Sequence, residues 1–493
     1  MKRIILSAVI TLIILITGLS FIDIEKNTVV KEENSIIYAL DKIPTTIKNV
    51  SALTVREKDI ICATSKGLVQ KTEEGKIEPS LSSEINIRDN GIEYEFKIRD
   101  DVYWNDGRKI TPSEVVDFFR ELLKEESDSN IEALLNVYGA KEYRKGTVDF
   151  ENGVAINSTE NSVIIRLNKK DDKFLEELTK PEYRVRKFLV MWEDLNNNYS
   201  NIPYTGDFYI SNIRDGNMEL KSNEHNFKNS SISKIELVED KNVELAMAAY
   251  EVGERDIVVD PPKSQLNRLA SENKLITSPS NKGKYLWINN ESEELPLSSR
   301  RTLYSNIYEA LSEYSTSNSH FAEASEGSYF REDKGDLTKL QARKVMSNKD
   351  KGSLPDVVTM LAEDTIENRV ILKSIQDWYK VNSSISFRYS LVSKEEFKSK
   401  ELRKRYDMAI VDAEAGSKDR EAYYTSIKEW FTKDQLKLSE KEKFNELEES
   451  LFSNYTLLPL IFENRNIAIS GDIKNLKFDF YGNLDFSKLK NKE

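Results

Sequence analysis

The chain has 493 residues, which is too many for one hydrophobic core, so two or three domains are expected. Charged residues make up 32% and hydrophobic residues 39%, a balance that suits a soluble globular protein. The net charge of −12 argues against nucleic acid as the main partner, because a phosphate backbone requires a basic surface. Cys62 is the single cysteine, so an intramolecular disulfide is excluded.

The N-terminus has the pattern of an export signal. Two basic residues precede an apolar run over 4–21, which reaches the lower limit of about 18 residues for spanning a bilayer. Residues 1–22 are therefore predicted as either a cleaved signal peptide or a retained membrane anchor. Both alternatives place the body of the protein outside the cytoplasmic membrane, because the positive end stays inside. The polar residues 23–34 predict a linker.

The stretch 92–123 combines a strand, a turn and a capped helix. Alternation predicts a half-buried strand whose inner side carries Ile92, Tyr94, Phe96 and Ile98. Asn105-Asp106-Gly107 predicts a tight turn. Thr111-Pro112-Ser113-Glu114 predicts a helix start with a capping box. The apolar residues that follow at helical spacing are Val115, Phe118, Phe119, Leu122 and Leu123.

The run FKIRDDVYWNDGRKITPSEVVDF, residues 96–118, resembles the signature segment of the family 5 extracellular solute-binding proteins, the peptide-binding receptors of ABC importers. An aromatic strand, a W-N-D-G turn and a T-x-x-E helix start occur in the family's order. Further segments that carry the resemblance are Lys76–Leu81, Pro203–Ile210, Asn223–Phe227, Glu251–Ile257, Leu286–Asn290 and Arg300–Leu303.

Beyond residue 310 the sequence is less regular. Ser312–Glu332 is rich in Ser and Glu, so no structure is assigned to it from sequence. From Leu354 onward, strands alternate with helices, which predicts βαβ units and a largely parallel sheet. The predicted elements are strands Asp356–Leu361, Ile385–Leu391, Asp407–Val411 and Leu457–Phe462, an amphipathic helix Asn368–Tyr379 and a polar helix Glu395–Lys404.

The resemblance implies an α/β protein with the type II periplasmic-binding-protein fold. This fold has two lobes with a ligand cleft between them and an extra α/β subdomain on the first lobe, and ligand-driven hinge closure accompanies it. The expected boundaries are 35–70, 181–285 and 463–493 for the first lobe, 71–180 for the subdomain and 286–462 for the second lobe.

In the peptide-binding members, an aspartate after the Y-D-[LM] strand holds the amino group of the peptide. That strand is present as Tyr406–Ile410, but a gapless count places Gly416 at the aspartate. Asp412 or Glu414 could replace it, since a carboxylate is what binds an ammonium group. The alternative is that both are solvated loop acids.

Three further positions are candidate ligand contacts by their place in the family pattern. Val55 falls where the first lobe offers backbone to the ligand, and a position in a helix core is the alternative. Phe462 and Glu463 lie where the returning strand faces the cleft, and core packing is the alternative. The tryptophans are expected to pack in cores rather than contact ligand, namely Trp104, Trp287 and Trp378.

The sequence gives little support for an enzymatic function. The two histidines, His225 and His320, lack partners at metal-ligand spacing, so neither a metal site nor a cofactor is predicted. Neither a G-x-S-x-G elbow nor a Gly-rich phosphate loop occurs. A carboxylate pair of the glycosidase kind remains an alternative among 84 acidic residues, but we expect a binding protein and not an enzyme.

Two functions from different classes follow. The first is a monomeric receptor that captures a peptide or small molecule and delivers it to an ABC permease. The second is a membrane-tethered sensor or interaction module that kept the fold and lost the standard site. The lipobox cysteine that anchors such receptors in single-membrane bacteria is absent after the apolar run, which favours the second reading.

Overall fold

A computed structural model describes residues 34–72, 75–225, 232–331, 337–347, 352–414, 420–471 and 473–491. The predicted signal or anchor at 1–22 and nearly all of the predicted linker lie outside these residues. Among the helices that are described, none has both the length and the apolar character needed to cross a bilayer.

Strands occur along the whole described chain. They are β1 Ser35–Leu40, β2 Val69–Lys71, β3 Ile77–Pro79, β4 Ser82–Arg88, β5 Glu93–Ile98, β6 Ile156–Ser158, β7 Ser162–Arg166, β8 Phe208–Arg214, β9 Asn217–Ser222, β10 Lys234–Glu239, β11 Ile257–Val259, β12 Leu275–Ile288, β13 Ala322–Ala324, β14 Val357–Glu363, β15 Ser386–Val392, β16 Met408–Glu414, β17 Leu457–Ile469, β18 Ile473–Lys474, β19 Lys477–Phe478, β20 Leu484–Asp485 and β21 Lys490–Asn491.

Helices alternate with these strands. They are α1 Val55–Thr64, α2 Pro112–Glu125, α3 Glu132–Leu135, α4 Ala140–Arg144, α5 Phe150–Gly153, α6 Phe174–Glu177, α7 Leu195–Asn198, α8 Val243–Glu251, α9 Lys263–Ser271, α10 Leu297–Ser317, α11 Leu337–Ser347, α12 Ile366–Asn382, α13 Lys394–Phe397, α14 Lys400–Arg403, α15 Arg420–Ile427, α16 Lys433–Glu440 and α17 Phe444–Ser453. Short 3-10 turns are Val50–Ala52, Asp128–Asn130, Pro181–Tyr183, Leu189–Glu193, Tyr199–Asn201 and Lys428–Trp430.

One mixed sheet of eleven described strands runs through the molecule in the order β15-β14-β16-β12-β17-β11-β1-β10-β9-β8, with β13 paired to β17. The strands pair in parallel within β15-β14-β16 and within β11-β1-β10. The long strands β12 and β17 pair antiparallel with each other and join the two parallel groups. The parallel sheet predicted beyond Leu354 is therefore confirmed for β14, β15 and β16.

A separate four-stranded antiparallel sheet, β4-β5-β7-β6, carries the signature segment. The predicted alternation in β5 is confirmed, because Tyr94, Phe96 and Ile98 are buried. Helix α2 begins with the predicted capping box, in which Thr111 and Glu114 bond each other's backbone amides. The apolar positions predicted for this helix are all buried against the sheet, which is why the amphipathic stripe forms here.

Buried apolar side chains form two large clusters and one small one. The first large cluster joins β1, β8, β9 and β10 to the four-stranded sheet and to the C-terminal residues 473–489. The second contains the inner faces of β14, β16 and β17 with helices α10, α12 and α17. These two clusters give the two lobes of the type II fold, and β12 and β17 pass between them.

The tryptophans pack as predicted. Trp104 is fully buried, and its indole Nε1 donates to Glu114 at 3.1 Å. Trp287 lies against Trp430, with their ring centroids 5.6 Å apart. Trp378 is also buried.

The segment Ser312–Glu332, to which the sequence assigned no structure, contains the end of a helix and a short strand. Helix α10 continues to Ser317 because Leu311 and Tyr314 keep its apolar stripe in the second cluster. Strand β13 then pairs with β17, and the buried Tyr329 hydroxyl donates to the Leu457 carbonyl at 2.6 Å. Pairing with a distant strand stabilises this segment despite its polar composition.

The single polar helix predicted over Glu395–Lys404 is wrong, because two short helices replace it. Helix α13 ends when Phe397 turns into the core. The Ser399 hydroxyl then accepts from the Leu402 amide at 3.3 Å and caps α14. A serine that bonds a backbone amide three residues ahead favours a new helix start over continuation.

Candidate ligand-binding cleft

A cleft of about 740 Å³ lies between the two large clusters. On one side it is lined by the first turn of α1, which packs into the first cluster through Ile60 and Ile61. On the other side it is lined by the first turn of α12, which packs into the second cluster through Ile371 and Leu372. Strands β12, β16 and β17 supply residues to the same cavity.

The start of each helix is fixed by a threonine cap. Thr54 caps α1 in a capping box, and Thr365 accepts from the Asn368 amide at 3.1 Å to cap α12. The first N–H groups of an α-helix have no partner within the helix, and both helices begin at the cleft. Their N-termini therefore favour the binding of hydrogen-bond acceptors of a ligand. On α12 the exposed side chains Ile366 and Val370 add an apolar surface to the cleft wall.

The antiparallel pair β12-β17 is irregular where it meets the cleft. Its register shifts between Pro279 and Gly283 and again between Lys284 and Tyr285. A Cβ atom at Gly283 would lie 2.4 Å from the Tyr423 hydroxyl, which accepts from the Tyr285 hydroxyl at 2.7 Å. A side chain at this position would have to displace the Tyr423 hydroxyl, and the next residue, Lys284, lies in the cleft wall.

Lys284 is the centre of the polar contacts in the cleft. Its Nζ donates to Asp412 Oδ1 at 2.6 Å and to Asn368 Oδ1 at 3.0 Å, and it lies 3.3 Å from Glu463 Oε1. Its side chain is only 4% exposed. Burial by itself would lower the pKa of Lys284, but the attraction of Asp412 and Glu463 raises it.

A second lysine reaches the cleft with different surroundings. The Nζ of Lys263, at the start of α9, lies 3.6 Å from Glu367 Oε1 and 3.4 Å from the centroid of the Phe321 ring. Among the described residues it has no hydrogen-bond acceptor. Burial lowers the pKa of Lys263 to about 8, although Glu367 opposes this shift.

Four of the five predicted contact residues line the cleft: Val55, Asp412, Glu414 and Glu463. Asp412 and Glu463 both contact Lys284, whereas Glu414 is more exposed and lies 3.4 Å from Lys282. The fifth predicted residue, Phe462, does not line the cavity. Successive side chains on a strand point to opposite faces, so Phe462 points away from the cavity and packs beside Gly283. The guanidinium carbon of Arg331 lies 5.4 Å from the centroid of the Phe462 ring.

Sequence reasoning missed Lys263, Lys284 and Arg465, which also line the cleft, and Asn368, which is buried and accepts from Lys284. Lys284 had a signal in the sequence, because it is a charged residue directly before the apolar run Tyr285–Ile288. Asn368 had none, since a polar residue in the first turn of a helix is ordinary.

A smaller side cavity of about 410 Å³ continues from the cleft. It lies at the carboxyl ends of the parallel strands β1, β10 and β11 and shares Asp41, Arg56, Val243 and Asp260 with the cleft. The carboxyl edge of parallel strands is where open α/β sheets bind ligands. Within the described residues, no group of three His, Cys, Asp or Glu side chains is placed to hold a metal ion.

A family model described as "Bacterial extracellular solute-binding proteins, family 5 Middle" matches residues 76–433. That range covers more than half of the chain and includes the signature segment. No curated protein sequence matches the chain.

Solved structures resemble the chain over nearly its whole length. An open, unliganded form of the periplasmic murein tripeptide binding protein MppA has a TM-score of 0.70 at 14% identity, covering 94% of this chain and 98% of that one. An oligopeptide-binding protein, OppAIV, from Borrelia burgdorferi has 0.63 at 17% identity, with coverages of 93% and 100%. NikA from Staphylococcus aureus, in complex with Ni(L-His)2, has 0.61 at 15% identity, with coverages of 93% and 100%. At these identities the likeness shows a shared fold.

Proposed function

The chain belongs to the bacterial extracellular solute-binding proteins of family 5, and from that membership we propose that it captures a peptide or peptide-like solute and delivers it to an ABC permease. Proteins of this family bind solutes and are not enzymes. The observation that carries the proposal is the cleft of about 740 Å³ between the two clusters. Cavities of about 300–1,000 Å³ are the usual size for small-molecule and cofactor sites.

We propose the domain boundaries that the sequence suggested. The first lobe comprises residues 35–70, 181–285 and 463–493, its subdomain 71–180, and the second lobe 286–462. The continuity of the first cluster from β1 into the four-stranded sheet supports a subdomain attached to the first lobe. The joining strands β12 and β17 support a hinge near residues 285 and 462.

The proposed solute contacts are Val55, Asp412, Glu414 and Glu463. Phe462 stays a predicted contact residue, although it lies behind the cavity wall. Glu414 is the better candidate for an exposed carboxylate, because its side chain is 56% exposed and its lysine partner lies at the surface. An extended solute would pair with backbone along the strand edges, as in strand addition. We propose that the protein acts outside the cytoplasmic membrane as a monomer, with neither a cofactor nor nucleic acid.

The test is thermal unfolding of residues 27–493 with pools of short peptides. A ligand that binds only the folded protein, at about 100 times its Kd, adds roughly 2.7 kcal/mol to the free energy of unfolding. We expect at least one pool to raise the melting temperature. If well-folded protein shows no shift with any pool, peptide capture is rejected.

A second candidate function is a membrane-tethered sensor. It is favoured by one observation: two of the predicted contact carboxylates, Asp412 and Glu463, already bind Lys284. Uptake of a labelled solute by cells with and without the gene separates the two functions. Loss of uptake on deletion supports transport, whereas binding without any change in uptake supports sensing.

A further inference from the structure

We propose that the side chain of Lys284 fills a site in the cleft that could otherwise bind the ammonium group of a ligand. The cleft therefore selects solutes that have no free primary amine at this position. The site consists of Asp412, Glu463 and Asn368. This inference rests on the proposed function, because it defines the chemical class of the solute in the same cleft. The class is peptide-like solutes whose amino end is blocked, for example by an acyl group.

The geometry of the site matches a primary ammonium group. An ammonium has three N–H donors and no acceptor. Around the Nζ of Lys284 stand one oxygen each from Asp412, Asn368 and Glu463, at 2.6, 3.0 and 3.3 Å. Two carboxylates and an amide oxygen are the partners that would hold the amino group of a ligand. In this chain the protein's own side chain uses all three.

The site belongs to the cleft and not to the interior of a lobe. Asp412 is 43% exposed and lines the cavity together with Lys284 and Glu463. A ligand ammonium placed here would compete with Lys284 for the same oxygens and would meet its positive charge at close range. A solute without a free amine meets neither obstacle.

The second lysine in the cleft favours the same class of solute. Lys263 Nζ lies in the cleft wall, 3.6 Å from Glu367 and against the Phe321 ring, and no acceptor among the described residues meets hydrogen-bond geometry. A buried ammonium whose ion pair lies beyond hydrogen-bond distance is stabilised when a ligand supplies an acceptor. A carbonyl or carboxylate oxygen of the solute is such an acceptor, and an ammonium group is not.

The first experiment compares matched peptides that differ only in N-acetylation, by calorimetric titration of residues 27–493. For the unmodified protein we expect the acetylated peptide to bind about tenfold or more tightly than the free-amine peptide. For Lys284→Ala we expect the free-amine peptide to bind about tenfold or more tightly than the acetylated one. The matched control is Lys373→Ala, an exposed lysine of α12 that does not line the cleft, and it should leave the ratio unchanged.

A purely structural role for Lys284 would change stability but not this ratio. The proposal is overturned if the unmodified protein binds the free-amine peptide as tightly as the acetylated one, or if Lys284→Ala still prefers the acetylated peptide. The unmodified protein alone provides the first of these outcomes, so a poorly folded variant does not prevent a decision.

The second experiment does not depend on peptide binding. Butylammonium can enter the space left by the shortened side chain and bind the three oxygens, so it should raise the melting temperature of Lys284→Ala by about 2 °C or more. It should not stabilise the unmodified protein or Lys373→Ala, and tetramethylammonium, which lacks N–H donors, should stabilise none of them. Equal effects on all three proteins would reject the ammonium site. Failure of every peptide to bind, with this rescue intact, would reject the proposed function alone.

Discussion

The Nζ atom of Lys263 lies 3.4 Å from the centroid of the Phe321 ring, so a cation from α9 faces an aromatic ring just before β13 at the wall of the cleft. Burial lowers the pKa of this lysine to about 8, against 10.5 for an ordinary lysine. The folded protein therefore binds fewer protons than the unfolded chain between pH 8 and 10.5, and this group makes the protein more stable as the pH rises through that range.

We predict that Lys263→Met raises the free energy of unfolding, relative to the unmodified protein, most strongly near pH 7. This gain in stability should decrease toward pH 10. The change in the difference of unfolding free energies should be no more than about 3 kcal/mol. Urea unfolding at pH 7, 8.5 and 10 measures it. Lys282→Met, at an exposed site, should give a flat difference, and a flat difference for Lys263→Met would show that its amine is not desolvated.

Glu114 joins the turn and the helix of the signature segment. Its carboxylate accepts from Trp104 Nε1 and from the Thr111 amide and lies 2.5 Å from Lys187 Nζ. We predict that Thr111→Ala costs about 1 kcal/mol, the usual cost of losing a cap. Glu114→Ala should cost more, about 2–3 kcal/mol, because it leaves the buried indole N–H without its acceptor. Chemical denaturation compares them, and equal costs would mean that the Trp104 bond contributes nothing.

Gly206 lies against the end of α1. A Cβ atom there would lie 2.2 Å from the Ala63 carbonyl oxygen and 2.3 Å from the Thr64 carbonyl carbon, both backbone atoms. We predict that Gly206→Ala destabilises the protein by about 2–3 kcal/mol, since overpacking against backbone is not relieved by a rotamer change. Gly471→Ala, which meets nothing within 4 Å, should change stability by less than about 0.5 kcal/mol. Similar denaturation midpoints for the two variants would contradict the prediction.

Asp59 is a buried carboxyl group that accepts from the Tyr38 hydroxyl at 2.7 Å and from the Leu484 amide at 2.8 Å. Burial raises its pKa to about 6, although Arg56 opposes the shift. The folded protein holds this proton between pH 4 and 6, where the unfolded chain has lost it, so the group's contribution to stability falls as the pH rises through that range.

We therefore predict that the unfolding free energy of the unmodified protein, relative to Asp59→Asn, decreases from pH 4 to pH 6 by no more than about 3 kcal/mol. Denaturant titrations at pH 4, 5 and 6 test this. The exposed Asp172→Asn serves as the control and should show no such trend. A relative stability that increases with pH would mean that the ionised form of Asp59 is the favoured one.

The sequence by itself determined the elements whose signals are local. The strand at β5, the turn at 105–107 and the capped start of α2 each depend on residues within one or two turns of chain, and the structure confirms all three. The family followed from the same segment, because its residues occur in a fixed order. The parallel strands β14–β16 were likewise predicted from alternation with helices.

Only the tertiary structure decided what depends on distant partners. The polar segment after α10 is ordered because β13 pairs with β17 and Tyr329 bonds Leu457, far along the chain. The contacts of Asp412 could not be predicted from the sequence either, because Lys284 and Asn368 lie on a different strand and on a helix. Local patterns fix backbone conformation, but the neighbours of a charged side chain are set by how separate elements pack. In this protein that packing places Asp412 against Lys284 and Asn368.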